Sequence, residues 1–129
     1  MIKPDGVQRR LVGDIIRRFE NRGFRIVAIK MMNVSRELAE KHYEAHKGKP
    51  FHDALIEFTV SGPVVAMVLE ADNAVDLTRQ MMGSLDPAEA QPGTIRGDLT
   101  VDTQRNLVHG ADSPEAAQRE LALWFPELA

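Results

Sequence analysis

Cysteine is absent from the 129 residues, which excludes disulfides, thiolate metal sites and a cysteine nucleophile. Aromatic residues are scarce, at 5%, with one tryptophan and one tyrosine. No aromatic RNA-binding motif is present, which argues against a nucleic-acid module that reads bases by stacking. Positive charge is not in excess: 16 basic residues face 19 acidic ones, for a net charge of −3, so wholesale electrostatic binding to nucleic acid is disfavoured. No apolar run approaches the roughly 20 residues of a membrane span. The first motif, Met1-Ile2-Lys3-Pro4-Asp5-Gly6, begins at once, and no secretory leader is expected. The expectation is a cytoplasmic chain with neither a membrane nor a specific nucleic acid as partner. What is present, 43% apolar and 27% charged residues, is ordinary for a globular domain and too apolar for disorder. The length predicts one domain over 1–129, able to bury roughly two-thirds of its unfolded surface.

Periodicity gives the organisation. Ile2 and Lys3 read as the tail of a strand, and Pro4-Asp5-Gly6 as a turn. Leu11, Val12, Ile15, Ile16 and Phe19 recur at helical spacing up to Gly23, and residues 24–34 read as a strand. Ser35 caps a helix expected to reach about Lys47, and a shorter helix is expected from Pro50 to about Thr59. Residues 64–69 form an apolar run expected to be a strand buried on both faces. Asn73 caps a helix to about Met82, and Gly83 stops it. Residues 84–105 lack periodicity and read as a long loop, of a length that is usually functional or disordered. Residues 106–109 read as a short last strand, and Ser113-Pro114 opens a helix to about Phe125. Without its insertions this order matches a split βαβ, ferredoxin-like α+β domain: βαββαβ, with a four-stranded antiparallel sheet and helices on its faces.

The histidines are the first candidates for chemistry. His42 and His46 stand at i, i+4 on a predicted helix, a spacing that can bind zinc. No third ligand is evident, and a solvated or half-buried helix face is the plainer reading. His109 ends a predicted strand just before a helix N-terminus, where backbone N–H groups favour anions. Imidazole can be a nucleophile toward phosphoryl groups if its second nitrogen is held by an acceptor. Glu120 on the following helix is placed to serve. Spacing alone favours a structural His109. The stretch Pro92-Gly93-Thr94-Ile95-Arg96-Gly97-Asp98 lacks the Gly-Lys-Ser/Thr ending of a P-loop. Arg96, Arg79 and Lys3 are cations that a polyphosphate would bring together, and spacing alone serves three solvated charges equally well.

Several motifs together closely resemble the nucleoside diphosphate kinase family. They are Lys3-Pro4-Asp5-Gly6-Val7, Ser61-Gly62-Pro63-Val64-Val65, Pro92 to Asp98, Arg105-Asn106-Leu107-Val108-His109-Gly110, Asp112-Ser113 and Leu123-Trp124-Phe125. The resemblance runs in order along essentially the whole chain. It implies a ping-pong reaction in which His109 takes the γ-phosphoryl group of a nucleoside triphosphate such as ATP and passes it to a nucleoside diphosphate. It also implies that Lys3, Arg79 and Arg96 hold phosphates and that Asn106 contacts the sugar. Phe51 would stack on the base with Leu55 beside it, Tyr43 would approach His109, and Glu120 would orient it. Mg²⁺ is implied on the nucleotide phosphates, with no dedicated protein cage. A homo-oligomer is implied, with a hexamer favoured over a tetramer.

Some positions depart from the family's pattern. Leu85 stands where a threonine hydroxyl is expected to reach phosphate, with Ser84 beside it as a substitute. Ala111 stands where a serine is expected near Glu120. His52 and Leu99 replace aromatic residues. Retained but reduced activity is the expectation. The alternative is a nucleotide-binding relative with weak phosphotransfer and a scaffold role. The family's first strand begins upstream of Lys3, so the natural chain is expected to begin upstream of Met1.

Overall fold

The computed structural model describes residues 1–128; Ala129, the last residue of the expected domain, lies outside the described residues. Two strands form the main ladder, β1 (Arg25–Met32) and β2 (Val64–Glu70), paired antiparallel. Ile2 extends the sheet on the far side of β2. Its N–H donates to the Val65 carbonyl at 2.7 Å, and the Val65 N–H returns the bond at 3.0 Å. Ile2 then bridges Val108 in turn, with Lys3 N–H on the Leu107 carbonyl at 2.8 Å. The spatial order β1, β2, Ile2, Val108 is the order of a ferredoxin-like sheet, with two of its four positions reduced to single bridges.

β2 packs against a core on each face, as its unbroken apolar run predicts, buried at Val64, Val65 and Ala66 and half-buried from Met67 to Leu69. Val65 joins Ile2, Ile15, Phe19, Phe24, Met82, Ile95, Leu107 and Val108 in one core. Val64 and Ala66 join Val34, Ala39, Tyr43, Ile56, Trp124 and Phe125 in the other. β1 is the edge strand, and it leaves Val27, Ile29 and Met31 exposed.

Most helices stop where their end signals stand, and the exceptions shape the site. The Pro4-Asp5-Gly6 turn is the start of a short helix, α1 (Pro4–Gln8). α2 (Val12–Arg22) ends on Gly23 at φ 105°, a left-handed value that favours glycine. α3 (Arg36–His42) is capped by the Ser35 hydroxyl, which accepts the Leu38 N–H at 3.0 Å. It ends five residues before the expected Lys47. The Lys41 and His42 carbonyls that the next helical turn needs are taken by the Arg119 guanidinium, at 3.2 Å each, and a 3₁₀ turn (Glu44–His46) follows. α4 spans His52–Thr59. α5 (Ala74–Met82) begins at Asn73, which makes no side-chain cap and instead adopts φ 56°.

The segment expected to be loop contains a further helix, α6 (Ile95–Leu99). Thr94 nucleates it, accepting the Gly97 N–H at 2.9 Å while donating to the Gln91 carbonyl at 2.6 Å. The expected strand at 106–109 reduces to one bridge because Leu107 has φ 72° and breaks the extended run. α7 (Pro114–Trp124) closes the fold, capped by Ser113. No helix among the described residues is long and apolar enough to cross a membrane.

Candidate active site

Every site residue expected above lines one cavity of about 1020 Å³: Lys3, Tyr43, Phe51, Leu55, Arg79, Arg96, Asn106, His109 and Glu120. The elements supply them from all directions. Lys3 follows the Ile2 bridge, Tyr43 ends α3, Phe51 and Leu55 begin α4, Arg79 lies on α5 and Arg96 on α6. Asn106 and His109 sit on the broken strand, and Glu120 on α7.

His109 Nε2 lies 2.5 Å from Glu120 Oε1. Burial pushes the Glu120 pKa up, but the His109 hydrogen bond and the electrostatic pull of His109, His42 and Arg119 together hold the carboxyl below its ordinary value. An ionised carboxylate only accepts. The proton is therefore on Nε2, and Nδ1 keeps its lone pair. Burial lowers the His109 pKa below its ordinary 6.5, and Glu120 only partly offsets this. The ring is thus neutral near pH 7, the state a nucleophile needs.

The segment carrying His109 is bent into place. Val108 N–H donates to the Asn106 carbonyl at 2.8 Å, which makes Leu107 the centre of a γ-turn of the rare, positive-φ kind. A non-glycine residue in that region is strained and persists only where its surroundings hold it. Here the buried Asp5 carboxylate accepts the Leu107 N–H at 3.0 Å. Asp5, which read only as a turn residue, is thus an anchor of the site.

The cations differ in character. Arg96 is buried and spends three N–H groups on backbone carbonyls: Asn106 at 3.2 Å, Gly83 at 2.9 Å and Val108 at 2.8 Å. Two of the five donors of its fork remain for a phosphate. Lys3 is also buried, and its pKa is lowered to about 8 by burial first and by Arg96 second, with Asp5 opposing. It stays mostly protonated at neutral pH. Arg79 is exposed on the cavity wall. Positive groups packed this closely in a cleft are poised for a ligand of high negative charge.

The other groups divide by polarity. Asn106 donates to the Thr103 carbonyl at 3.0 Å, and its buried Oδ1 has no partner, which leaves an acceptor for a hydroxyl. The buried Tyr43 hydroxyl is also unpartnered, and burial pushes its pKa up to about 12, so it remains a donor. Phe51 is half exposed at the cavity mouth, with the His46 ring 5.3 Å away and the Lys49 ammonium 5.8 Å over its face. The Ser84 hydroxyl accepts the Asp86 N–H at 3.2 Å, which ties it to its own turn, and Leu85 stands half exposed on the cavity wall.

His42 corrects the sequence reading. It is buried, not half solvated, and its ring packs 4.4 Å from that of His109. His46 is not part of that group: its Nδ1 lies 3.2 Å from the Lys49 ammonium, while His42 gathers with His109 and Glu120. Sequence reasoning also missed Arg119, whose contacts end α3. The only signal for either was helical adjacency to Tyr43 and Glu120.

Comparison with known proteins agrees with this geometry. The nucleoside diphosphate kinase family model matches residues 1–129. The nucleoside diphosphate kinase of Pelotomaculum thermopropionicum is 62% identical over 125 residues, covering 97% of this chain and 84% of the relative. That of Carboxydothermus hydrogenoformans is 60% identical over 127 residues, covering 98% and 85%. Among solved structures, the Halobacterium salinarum nucleoside diphosphate kinase in complex with CDP superposes with a TM-score of 0.93. Its identity is 50%, over 96% of this chain and 83% of that one.

Proposed function

This chain belongs to the nucleoside diphosphate kinase family, a family of phosphotransferases, and we propose that it moves phosphate through a phosphohistidine on His109. The observation that carries the reading is the His109–Glu120 pair, which leaves a neutral imidazole with its Nδ1 lone pair in a cavity lined by Lys3, Arg79 and Arg96. The Nδ1 lone pair attacks the γ-phosphorus of a nucleoside triphosphate. The bond from that phosphorus to the β,γ-bridging oxygen breaks, and the nucleoside diphosphate leaves with the electron pair. A terminal β-phosphate oxygen of a second nucleoside diphosphate then attacks the same phosphorus, and the N–P bond breaks back onto Nδ1. The Nε2 proton stays on the Glu120 side throughout, where the carboxylate stabilises the positive charge that builds on the ring in each step.

Phosphoryl transfer needs positioning and charge stabilisation above all. Arg96, Lys3 and Arg79 meet the phosphate oxygens, the Tyr43 hydroxyl donates beside the reacting group, and Asn106 Oδ1 accepts a sugar hydroxyl. Phe51 and Leu55 hold the base by its face, which reads no hydrogen-bond pattern and so tolerates different bases. Mg²⁺ prefers oxygen ligands. Of the carboxylates lining the cavity among the described residues, Glu120 is engaged by His109 and Asp112 is exposed. The ion therefore fits as a passenger on the substrate phosphates, where it supplies charge neutralisation. The apolar exposed face of β1 (Val27, Ile29, Met31) supports a homo-oligomer; the preference for a hexamer over a tetramer rests on the family resemblance, and sedimentation tests it. The place of work in this reading is the cytoplasm.

The deciding experiment mixes the protein with γ-labelled ATP and Mg²⁺ and quenches in alkali. Wild type takes up acid-labile, base-stable label and passes it to GDP or dCDP, while His109→Ala takes up none. A wild-type protein that stays unlabelled overturns the reading.

A further inference from the structure

We propose that Trp124 and His42 are a positioning pair for His109: the indole N–H fixes His42 in one tautomer, and the ring so fixed stands edge-on to His109 and holds its reactive orientation. The inference rests on His109 as the nucleophile.

The geometry is continuous. Trp124 Nε1–H donates to His42 Nδ1 at 3.0 Å, fully buried. Indole is a donor only, so Nδ1 of His42 must carry the lone pair and Nε2 the proton. The His42 ring then meets His109 at 4.4 Å between centroids and 76° between planes. Tyr43 and Trp124 pack edge-on against the same ring, at 4.5 and 5.4 Å. The backbone is tied as firmly as the ring, since Arg119 grips the Lys41 and His42 carbonyls. Arg119, Glu120 and Trp124 all belong to α7. One helix therefore holds His109 twice, directly through Glu120 and indirectly through His42.

Two features argue that this is not merely packing. The His42 Nε2–H is buried with no hydrogen-bond partner, a cost that a leucine in the same place would not carry. The tautomer also excludes the other use of the cluster. Ligand atoms of His42, His109 and Glu120 lie within 4.8 Å of one another, a grouping that suggests a metal. Ligation through His42 Nε2 would put the proton on Nδ1, facing the indole N–H donor to donor. What remains is a rigid, uncharged wall. Burial lowers the His42 pKa to about 3 and keeps the ring neutral, so it does not compete with His109 for the Glu120 carboxylate.

Two readouts test the pair in the full chain. Long-range ¹H–¹⁵N spectra of histidine-labelled protein, recorded without nucleotide, are expected to show His42 as the Nε2–H tautomer in wild type and a mixture in Trp124→Phe. Rapid-quench labelling from γ-labelled ATP is expected to be roughly tenfold slower in Trp124→Phe and His42→Leu, with half-saturation by ATP unchanged, as for a misoriented nucleophile. The acid-side midpoint of that rate is expected to move up in both variants, because a looser, wetter His109 regains part of its ordinary pKa. Groups facing His109 are Glu120, His42, Lys3 and the Met1 amino group. Those facing His42 are His109, Glu120, Arg119 and the same amino group. A merely structural His42 would change stability and leave the midpoint in place. The proposal is overturned if wild-type His42 is the Nδ1–H tautomer, or if either folded variant keeps the wild-type rate and midpoint. Should His42→Leu fail to fold, Trp124→Phe and the spectra decide alone. An unlabelled wild type would instead count against the phosphohistidine, and the tautomer would still be read independently.

Discussion

The two sides of the cavity are held together by different means. On one side α3 and α7 are regular helices, and they are tied together at several points. α7 alone is fixed by the Ser113 cap, by Arg119 on the end of α3, by Trp124 on His42 and by Glu120 on His109. On the other side, residues 83–109 contain one short helix and are hung on a few side chains that bond to backbone. Arg96 fastens Gly83, Asn106 and Val108, Thr94 starts α6, and Asp5 holds the turn at Leu107. The helical side distributes its stability, whereas the irregular side concentrates it. Losing one contact should therefore cost little stability on the first side and much on the second.

Arg96→Lys is the hardest test of that contrast, because it keeps the charge and removes the fork. One ammonium cannot reach three carbonyls in three directions, so buried acceptors are left open at about 1–3 kcal/mol each, before any relaxation. A loss of about 3 kcal/mol in denaturant-measured stability is expected, together with a roughly hundredfold fall in kcat/KM, as two phosphate contacts and the seat of Asn106 go together. Near-normal stability in this variant would break the contrast. Asp5→Ala should follow, at about 2 kcal/mol for the buried Leu107 N–H left unpaired. The released turn should show as faster hydrogen exchange at Leu107 and Val108 and as weaker nucleotide binding.

The same contrast explains what could be read from the amino acids. Helical and strand periods placed α2, β1, β2, α5 and α7 nearly where they stand, because those segments obey local spacing and local caps. The sheet was legible only through the element order along the chain, which matches a ferredoxin-like fold. α6 was not, because its five residues carry no full apolar period and it starts from one threonine bonded to a carbonyl three residues back. The end of α3 at His42 depends on Arg119, 77 residues away, and no local pattern contains that contact. Leu107 reads as an ordinary strand residue, and only Asp5, far away in the chain, makes its positive φ tolerable. Of the nine expected site residues, His109, Glu120, Lys3, Arg79 and Arg96 stood out by residue chemistry but were left open by spacing alone; motif resemblance chose them and added the other four, and all nine line one cavity. His42, assigned by spacing alone to a solvated or half-buried face, is buried with Trp124 of α7 against its ring.

Lys3 sits where the two sides meet, and it sharpens the comparison through pH. Its pKa is lowered to about 8 by burial and by Arg96. Its charge is therefore present below pH 8 and is lost as pH rises through that value. If the ammonium holds phosphate, kcat/KM falls above pH 8 by at most tenfold per unit, so roughly tenfold at pH 9. Lys3→Arg, which stays charged, should move that alkaline limb upward. It should leave the acid limb, set by His109 below 6.5, where it was. A limb that stays near pH 8 in Lys3→Arg would assign it to another group.

Ser113→Ala is the mildest change and probes the distributed side. The hydroxyl accepts the Ala116 N–H at 3.0 Å, and Pro114 at the first helical position already fixes φ. Loss of such a cap costs about 1 kcal/mol, or about 4 °C in Tm for a domain of this size. The cap lies one turn and more from Glu120, and the first turn of α7 can fray without moving residues 119–124, which stay bonded to α3 and His109. Stability should therefore fall while the rate of His109 labelling changes by less than about twofold, since nothing made only in the transition state is lost. A tenfold slower rate in this variant would mean that α7 holds the nucleophile no more redundantly than Arg96 holds the opposite wall.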